Sequence, residues 1–513
     1  MDFHQKSVTE KSHKKIRHQF LPSSGEARET LRQKGQFWTP EWIAEAMTYY
    51  VLLDKSSILF DPAVGEGIFY KTAKQLSREL GYTPKLFGYE IDSDVLKQAL
   101  KNGLSSTDLV DVKVADFVLN PPKQKMSAIV ANPPYIRHHR LNQEKKILLK
   151  QFCKDFIGYS LDGRAGFHIY FFLCALQSLA ENGRLAFIMP ADVCEGIFAE
   201  KLWKWITQNF CLECVVTFTS EATPFPNVDT NPLIFFIKKS KPQTNFLWVK
   251  CKESWTTDLK NFVVSGFKQK SDSLEVHNRT VEEGILTGLS RSSENKPEGT
   301  ELSQFARVMR GIATGANEFF FLTREQAREK NIPAEFLQMA IGRTRDVNSE
   351  KITSELIEAL DKKGRPTLLF SPDGRRLEDF PLDTRNYLLE GEDLGLPKKS
   401  LISQRKPWYR MEKRIPPTFL FAYLGRQNIR FIKNSINVLP LTGFLCVYSL
   451  SNEPNFNENL WLALNHPDTL FNLQFVGKSY GSGAIKVEPR SLEKLIIPNQ
   501  IIEKFRLPNL SLF

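Results

Sequence analysis

Asn132-Pro133-Pro134-Tyr135 follows directly on the apolar run 128–131. Neither proline can donate to a strand ladder, and proline restricts the residue before it, so the strand must end here. The Asn132 side-chain carbonyl and a backbone carbonyl freed by proline are both acceptors. Together they suit an exocyclic amino group, which brings two N–H donors. Tyr135 adds a flat ring on which a base can stack. Three acids stand in comparable places: Asp61 ends SSILFD, Glu90 ends KLFGYE, and Asp116 lies in VADF. A carboxylate at Glu90 can accept both ribose hydroxyls of a nucleoside. One at Asp116 can meet an adenine amino group, with Phe117 against the ring. The turn Asp61-Pro-Ala63-Val-Gly65-Glu-Gly67 lets backbone approach a ligand closely. It lacks the GxGxxG of dinucleotide sites, and no GKS or GKT follows as a P-loop requires.

The elements that must hold these residues are legible as alternating segments from about residue 56. SSILFDPA, KLFGYEID, VDVKVADFV, SAIVANPPY, RLAFIMPAD, CLECVVTFTS and NPLIFFIKKS read as strands. Helical spacing lies between several of them, as in IFYKTAKQLSREL and SDVLKQALKNG. This predicts an α/β fold with a doubly wound, mostly parallel sheet covered on both faces. Such sheets bind ligands beyond the carboxyl ends of their strands, where Asp61, Glu90, Asp116, Asn132 and Pro190 all fall. AGFHIYFFLCALQSLAENG reads as one long helix stopped by Asn-Gly. In GQFWTPEWIAEAM, Thr39 is expected to cap a helix with Pro40 as its first residue, and it is free to line a pocket as well.

Strand–helix alternation fails after about residue 240, and the polar, turn-rich 290–301 reads as a linker or exposed loop. The expected organisation is a basic arm over 1–34, a catalytic domain over 35–245, a connecting extension over 246–300 and a second domain over 301–513. The whole chain has 513 residues, 42% hydrophobic and 25% charged, which allows large cores. Its 69 Lys+Arg against 58 Asp+Glu give a formal +11, an excess that favours a polyanionic partner. No run reaches the roughly 18 apolar residues of a membrane span, and the charged N-terminus is no secretory signal. Of seven scattered cysteines only Cys211 and Cys214 form a CxxC, inside an apolar strand, so core cysteines rather than a metal site are expected. A reducing, cytoplasmic location follows.

In content and order, GQFWTP, DPAVGEG, GYEID, VADF, NPPY, FIMPAD and TPFPNVDTNPLIFF resemble the TaqI-like, gamma-class DNA adenine-N6 methyltransferases. The resemblance spans roughly 35–240. More loosely, RVMRGIATGANEFF, KPWYRMEKR and GKSYGSGAIKVEPRSLEKLIIP look like the target-recognition part of the wider group. The resemblance implies a seven-stranded class I methyltransferase sheet, a C-terminal mixed α/β target-recognition domain, S-adenosylmethionine as cofactor and double-stranded DNA as partner. Carried over, Thr39, Asp61, Ala63 and Gly65 hold the methionine end, Glu90 the ribose, and Asp116 and Phe117 the cofactor adenine, with Pro134 also touching the cofactor. Asn132, Pro133 and Tyr135 hold a flipped-out target adenine, and Phe225 touches its far side. Val64 and Glu66 depart from the family, which more usually has a small or sulfur-bearing residue and Ser or Thr there.

Candidate DNA contacts are Arg137 and Arg140 in the basic stretch after NPPY, and Arg310, Lys406, Trp408, Tyr409, Arg410 and Lys486 in the second domain. A monomer is expected, with a cognate restriction endonuclease as a possible partner. A fused nuclease is not expected, because 34 residues before GQFWTP are too few for one and no nuclease motif is read further on. Structured RNA, a protein glutamine, or a non-catalytic DNA-binding role are the other readings weighed.

Overall fold

A computed structural model describes residues 37–136, 138–162, 165–194, 198–226, 228, 230–291, 297–422, 429–480 and 484–508. The expected arm 1–34 lies outside them. The chain divides into two compact units, Met1–Ser293 and Glu294–Phe513, a division falling inside the polar stretch 290–301.

The first unit is built on β1 (Ile58–Asp61), β2 (Lys85–Glu90), β3 (Val112–Val114), β4 (Met126–Ala131), β5 (Leu179–Pro190), β6 (Cys211–Phe218), β7 (Pro232–Lys238), β8 (Asn245–Cys251) and β9 (Leu274–Thr280). They form one sheet in the order β3-β2-β1-β4-β5-β7-β6-β8-β9. β1 to β5 run parallel, while β7 lies antiparallel to both β5 and β6. The expected seven-stranded sheet is therefore present, and two further strands extend it. β1 pairs with β2 on one side and β4 on the other, so the chain reverses its winding direction at β1. That reversal is where an open α/β sheet leaves a crevice for a ligand.

Alternate residues of the central strands serve opposite faces, because successive side chains of a strand point to opposite sides. Leu185, Phe187 and Met189 of β5 enter one apolar cluster, and Ala186 and Ile188 enter the other. The helices are α1 (Glu41–Leu52), α2 (Ile68–Leu80), α3 (Ser93–Lys101), α4 (Gln143–Ile157), α5 (Phe167–Ser178), α6 (Ala199–Asn209), α7 (Asp258–Val264) and α8 (Val281–Thr287). Residues of α1, α2 and α7 fill the cluster holding Ile188; those of α5 and α6 fill the other. Every residue of α5 but Gln177 is buried, as expected of a helix apolar all round.

Two expectations need correction. The helix read through Asn-Gly ends at Ser178, and 179–183 join β5, where Asn182 takes φ +59 and the pairing with β4 shifts register. Residues 246–300 do not simply connect: β8 and β9 extend the sheet beyond β6, with Phe246, Trp248, Val249 and Cys251 buried. Left uncovered, β6 would be an edge strand presenting unpaired backbone groups.

Gly88 of β2 lies where no side chain fits. A Cβ there would stand 2.6 Å from the Asp61 carbonyl oxygen and closer still to the Tyr70 hydroxyl and Val64. Gly88→Ala is expected to destabilise the protein by about 1–3 kcal/mol, read as a lower melting temperature.

In the second unit, Ala306–Arg310, Leu445–Ser449, Phe419–Ala422, Arg430–Asn434 and Lys351–Ile352 form a five-stranded sheet in that order. Phe321–Leu322, Leu368–Phe370, Leu337–Ile341 and Leu439–Pro440 form a four-stranded one. With the helices between them, these sheets give the mixed α/β architecture expected. Among the described residues no helix is long and apolar enough to cross a membrane.

Candidate active site

A cavity of about 880 Å³ opens at the carboxyl ends of β1, β2 and β4. Thr39, Ala63, Gly65, Glu90, Asp116, Phe117, Asn132 and Pro134, all expected at the site, line it. The glycine turn explains one wall. Gly67, at φ +76, is the residue preceding α2, a conformation that side chains rarely adopt. The Gly65 N–H donates to Glu90 Oε2 (2.9 Å), and the N–H groups of Ile91 and Asp92 donate to Oε1 (2.9 and 3.0 Å). Glu90 is thereby aimed by backbone donors at the cavity rim. The departures at 64 and 66 have local work: Val64 is buried in the core, and Glu66 accepts a hydrogen bond from Asn102 Nδ2 (2.7 Å).

Asp61 lies just behind this wall, fully buried. Its Oδ1 accepts the Ala63 N–H (2.9 Å), and its Oδ2 has no hydrogen-bond partner among the described residues. Burial pushes its carboxyl up from 3.8 to about 8, with the Glu90 charge adding to the rise and the Ala63 N–H opposing it.

Asn132 follows β4, and its amide is fixed by two acceptors. Nδ2 donates to the Phe37 carbonyl (2.6 Å) and to Thr39 Oγ1 (3.1 Å). Oδ1 is buried with no partner among the described residues. Thr39 thus has a different task from the one expected. Pro40 takes the cap position of α1 and no side chain caps it, while Thr39 Oγ1 accepts from Asn132 and Thr39 still lines the cavity. Pro133 is buried behind the cavity, and no described donor is bonded to its carbonyl.

Tyr135 and Phe225 stand together off the cavity wall, with ring centroids 6.4 Å apart. Phe37 lies against both, at 5.4 Å from Tyr135 and 6.1 Å from Phe225. The Tyr135 hydroxyl donates to the Ile188 carbonyl (3.1 Å). Burial first, and the Asp192 charge second, hold that phenol well above its ordinary value, so the ring stays neutral.

Sequence reasoning missed several lining residues. Ile91, 67% exposed, follows Glu90 in the quoted GYEID and presents an apolar side chain at the rim. Lys145 reaches the cavity from the basic stretch, and Phe167 and Phe171 reach it from α5. Trp255, Thr256 and Thr257 come from the segment taken as a connector. Trp255 holds φ +63, unusual for a bulky residue.

The expected DNA contacts fare unevenly. Arg137 lies outside the described residues. Arg140 is half-buried in the turn His138–Arg140. Arg310 is exposed and ion-paired with Glu488; Lys406 and Arg410 are exposed. Lys486 falls on strand Ala484–Lys486, opposite Lys478, and its side chain lies outside what is described. Tyr409 is a correction. It is 4% exposed, its hydroxyl donates to the Arg375 carbonyl (2.9 Å), and it packs in an apolar cluster with Phe380. Trp408 is half-buried against Phe319 and Phe320 with its Nε1 donating to Glu392 (3.0 Å), so its ring serves packing. Cys211 and Cys214 are buried on β6, where burial pushes the Cys211 thiol up to about 11 and holds the Cys214 thiol well above its ordinary value.

Residues 23–287, just over half of the chain, match the family described as N-6 DNA methylase. The chain belongs to that family. Residues 286–511 match a second model, the C-terminal domain of the type II methyltransferase M.Eco57I. Over 475 residues this methylase is 24% identical to the type II methyltransferase M.AccI of Acinetobacter calcoaceticus, covering 91% of this chain and 85% of that one. Over 490 residues it is 23% identical to M.XamI of Xanthomonas campestris pv. amaranthicola, with the same coverage. Among solved structures, the type IIL restriction-modification enzyme MmeI in complex with DNA is similar in fold, with a TM-score of 0.50 at 13% identity. That likeness covers 84% of this chain and 60% of MmeI, so the chain spans about three fifths of that enzyme. The methylase is thus a DNA methyltransferase of the N6 class and uses S-adenosylmethionine. The cavity fits that group: Glu90, held by three backbone N–H groups, stands in its wall beside the glycine turn, and Phe117, Phe167 and Phe171 give it an aromatic lining.

Proposed function

We propose that this protein is a site-specific, adenine-specific DNA methyltransferase that modifies N6 of a base turned out of the double helix. The observation that carries the reading is the amide of Asn132. Both hydrogens of its Nδ2 are committed to Phe37 and Thr39, which leaves the buried, unpartnered Oδ1 as an acceptor. An adenine amino group has two N–H donors, and Asn132 Oδ1 with the Pro133 carbonyl supplies two acceptors. Its lone pair is conjugated with the ring and weakly nucleophilic. Accepting both hydrogens favours a tetrahedral nitrogen and stabilises the positive charge that develops there as it attacks. S-adenosylmethionine supplies an electrophilic methyl group that needs no further activation. Asp61, Glu90, Asp116 and Phe117 hold it, and alignment of nitrogen with methyl supplies the entropic part of catalysis.

The target atom is inaccessible within a duplex, so the base must leave the stack at a cost of a few kcal/mol. Tyr135 and Phe225 offer the rings to receive it, with Phe37 packed against both. Tyr135→Ala is expected to weaken capture of the flipped base by about 1–3 kcal/mol while leaving measurable turnover. Fluorescence of 2-aminopurine placed at the target position would report the loss. Residues 301–513 read the DNA target, with Arg310, Lys406 and Arg410 as exposed candidates for phosphate or base contact. The protein acts as a monomer in the cytoplasm, alone or beside a cognate restriction endonuclease. Expression in a methylation-free host, with genome-wide mapping of modified adenines, tests reaction, substrate and target together. Absence of N6-methyladenine from that genome would overturn the reading.

A further inference from the structure

Lys145 belongs to the basic stretch that sequence reasoning offered to DNA phosphate, and the fold turns it inward. It is in the first turn of α4, where the Lys145 N–H donates to the capping Asn142 Oδ1 (2.8 Å). A cation there opposes the helix dipole, and its side chain is only 23% exposed, so the local environment does not favour it. Two contacts offset that cost. Its Nζ stands 2.7 Å from Asp116 Oδ2 and 4.2 Å from the centroid of the Phe167 ring. Asp116, Lys145 and Phe167 come from three segments of the chain, and all three line the cavity.

We propose that Lys145 is a positioning residue for the adenine end of S-adenosylmethionine, neutralising and aiming the Asp116 carboxylate as acceptor for the adenine amino group. The inference rests on the reading of Asp116 given above. Asp116 Oδ1 is occupied by the Val118 N–H (3.0 Å), so the ligand's amino hydrogen must go to Oδ2, which keeps a lone pair free after accepting from Lys145. A bound cofactor covers this carboxylate and removes it from water. A carboxylate so covered without a counter-ion is strongly disfavoured, and Lys145, which lines the same cavity, supplies the counter-ion. The Phe167 ring beneath the ammonium keeps it from swinging out.

Calorimetric titration of the full chain with S-adenosylmethionine, and with an analogue carrying hydrogen in place of the 6-amino group, tests this. Lys145→Met is expected to weaken S-adenosylmethionine by about tenfold and the analogue by less than about twofold, and Lys145→Arg to restore most of the loss. Equal weakening of both ligands, or none, would overturn the role of Lys145. So would weaker DNA binding by Lys145→Met with cofactor affinity unchanged, since that result assigns the lysine to phosphate. Asp116→Asn separates the two claims. If it leaves the affinity for both ligands unchanged, the reading of Asp116 itself fails; if it weakens S-adenosylmethionine selectively while Lys145→Met does not, only the lysine's role fails.

Discussion

Asn132→Ala is expected to lower single-turnover methyl transfer by about 10³-fold or more, with S-adenosylmethionine affinity close to that of the unaltered protein. The substitution removes the acceptor proposed for the amino hydrogen at the reacting nitrogen, an interaction that would strengthen as charge develops there. It also frees the Phe37 carbonyl and the Thr39 hydroxyl that the Asn132 amide now ties together. Those ties orient the acceptor, and the acids expected to hold the cofactor are untouched, so calorimetry should record little change in binding. Asn132→Asp keeps an acceptor and loses both donations, and it is expected to retain more activity than the alanine variant. Near-wild-type turnover by Asn132→Ala would overturn the placement of the target amino group.

Asp61→Asn is expected to weaken S-adenosylmethionine by about 10- to 100-fold at pH 8 and to remove the pH dependence of binding. The carboxyl of Asp61 is raised to about 8 by burial and by Glu90, so it is mainly protonated at neutral pH. The cationic methionine end, which the proposed reading places near Asp61, favours the charged form, so binding releases a proton. Affinity therefore rises as pH rises from about 6 toward about 8. Titrations in buffers of different ionisation heat would count the proton. Affinity independent of pH in the unaltered protein would sink this account. The ligand-free protein behaves in the opposite sense. A carboxyl whose folded value lies above its unfolded one favours the fold while protonated. That contribution is present near pH 4 and is lost as pH rises through about 8, where melting curves of the unaltered protein should fall more steeply than those of Asp61→Asn.

Much of this site is legible in the chain because strands buried on both faces read as unbroken apolar runs. The residue that ends such a run stands at the ligand edge of the sheet, which placed Asp61, Glu90 and Asn132 together before any contact was known. The same logic failed where the cue is ambiguous over a short range. Thr39-Pro40-Glu41 looks like a helix start whichever residue caps it, and only the packing of α1 beside β4 gives the Thr39 hydroxyl to Asn132. β8 and β9 escaped because they are joined by turns and one short helix, without the longer strand–helix alternation that marks the rest of the sheet. Trp408 and Tyr409 lie among basic residues as a nucleic-acid reader's would, and their neighbours in sequence do not reveal that Phe319, Phe320 and Phe380 pack against them.

The sequence by itself determined the strand ends, the glycine turn and the donor and acceptor types that a nucleoside and an amino group would meet. The tertiary structure decided which of those atoms remain unpaired. Asn132 and Thr39 are 93 residues apart, Lys145 and Asp116 are 29 apart, and Asp61 owes its raised carboxyl to burial beside Glu90. Pairing and desolvation depend on distances in space, and neighbours in the chain carry no record of them.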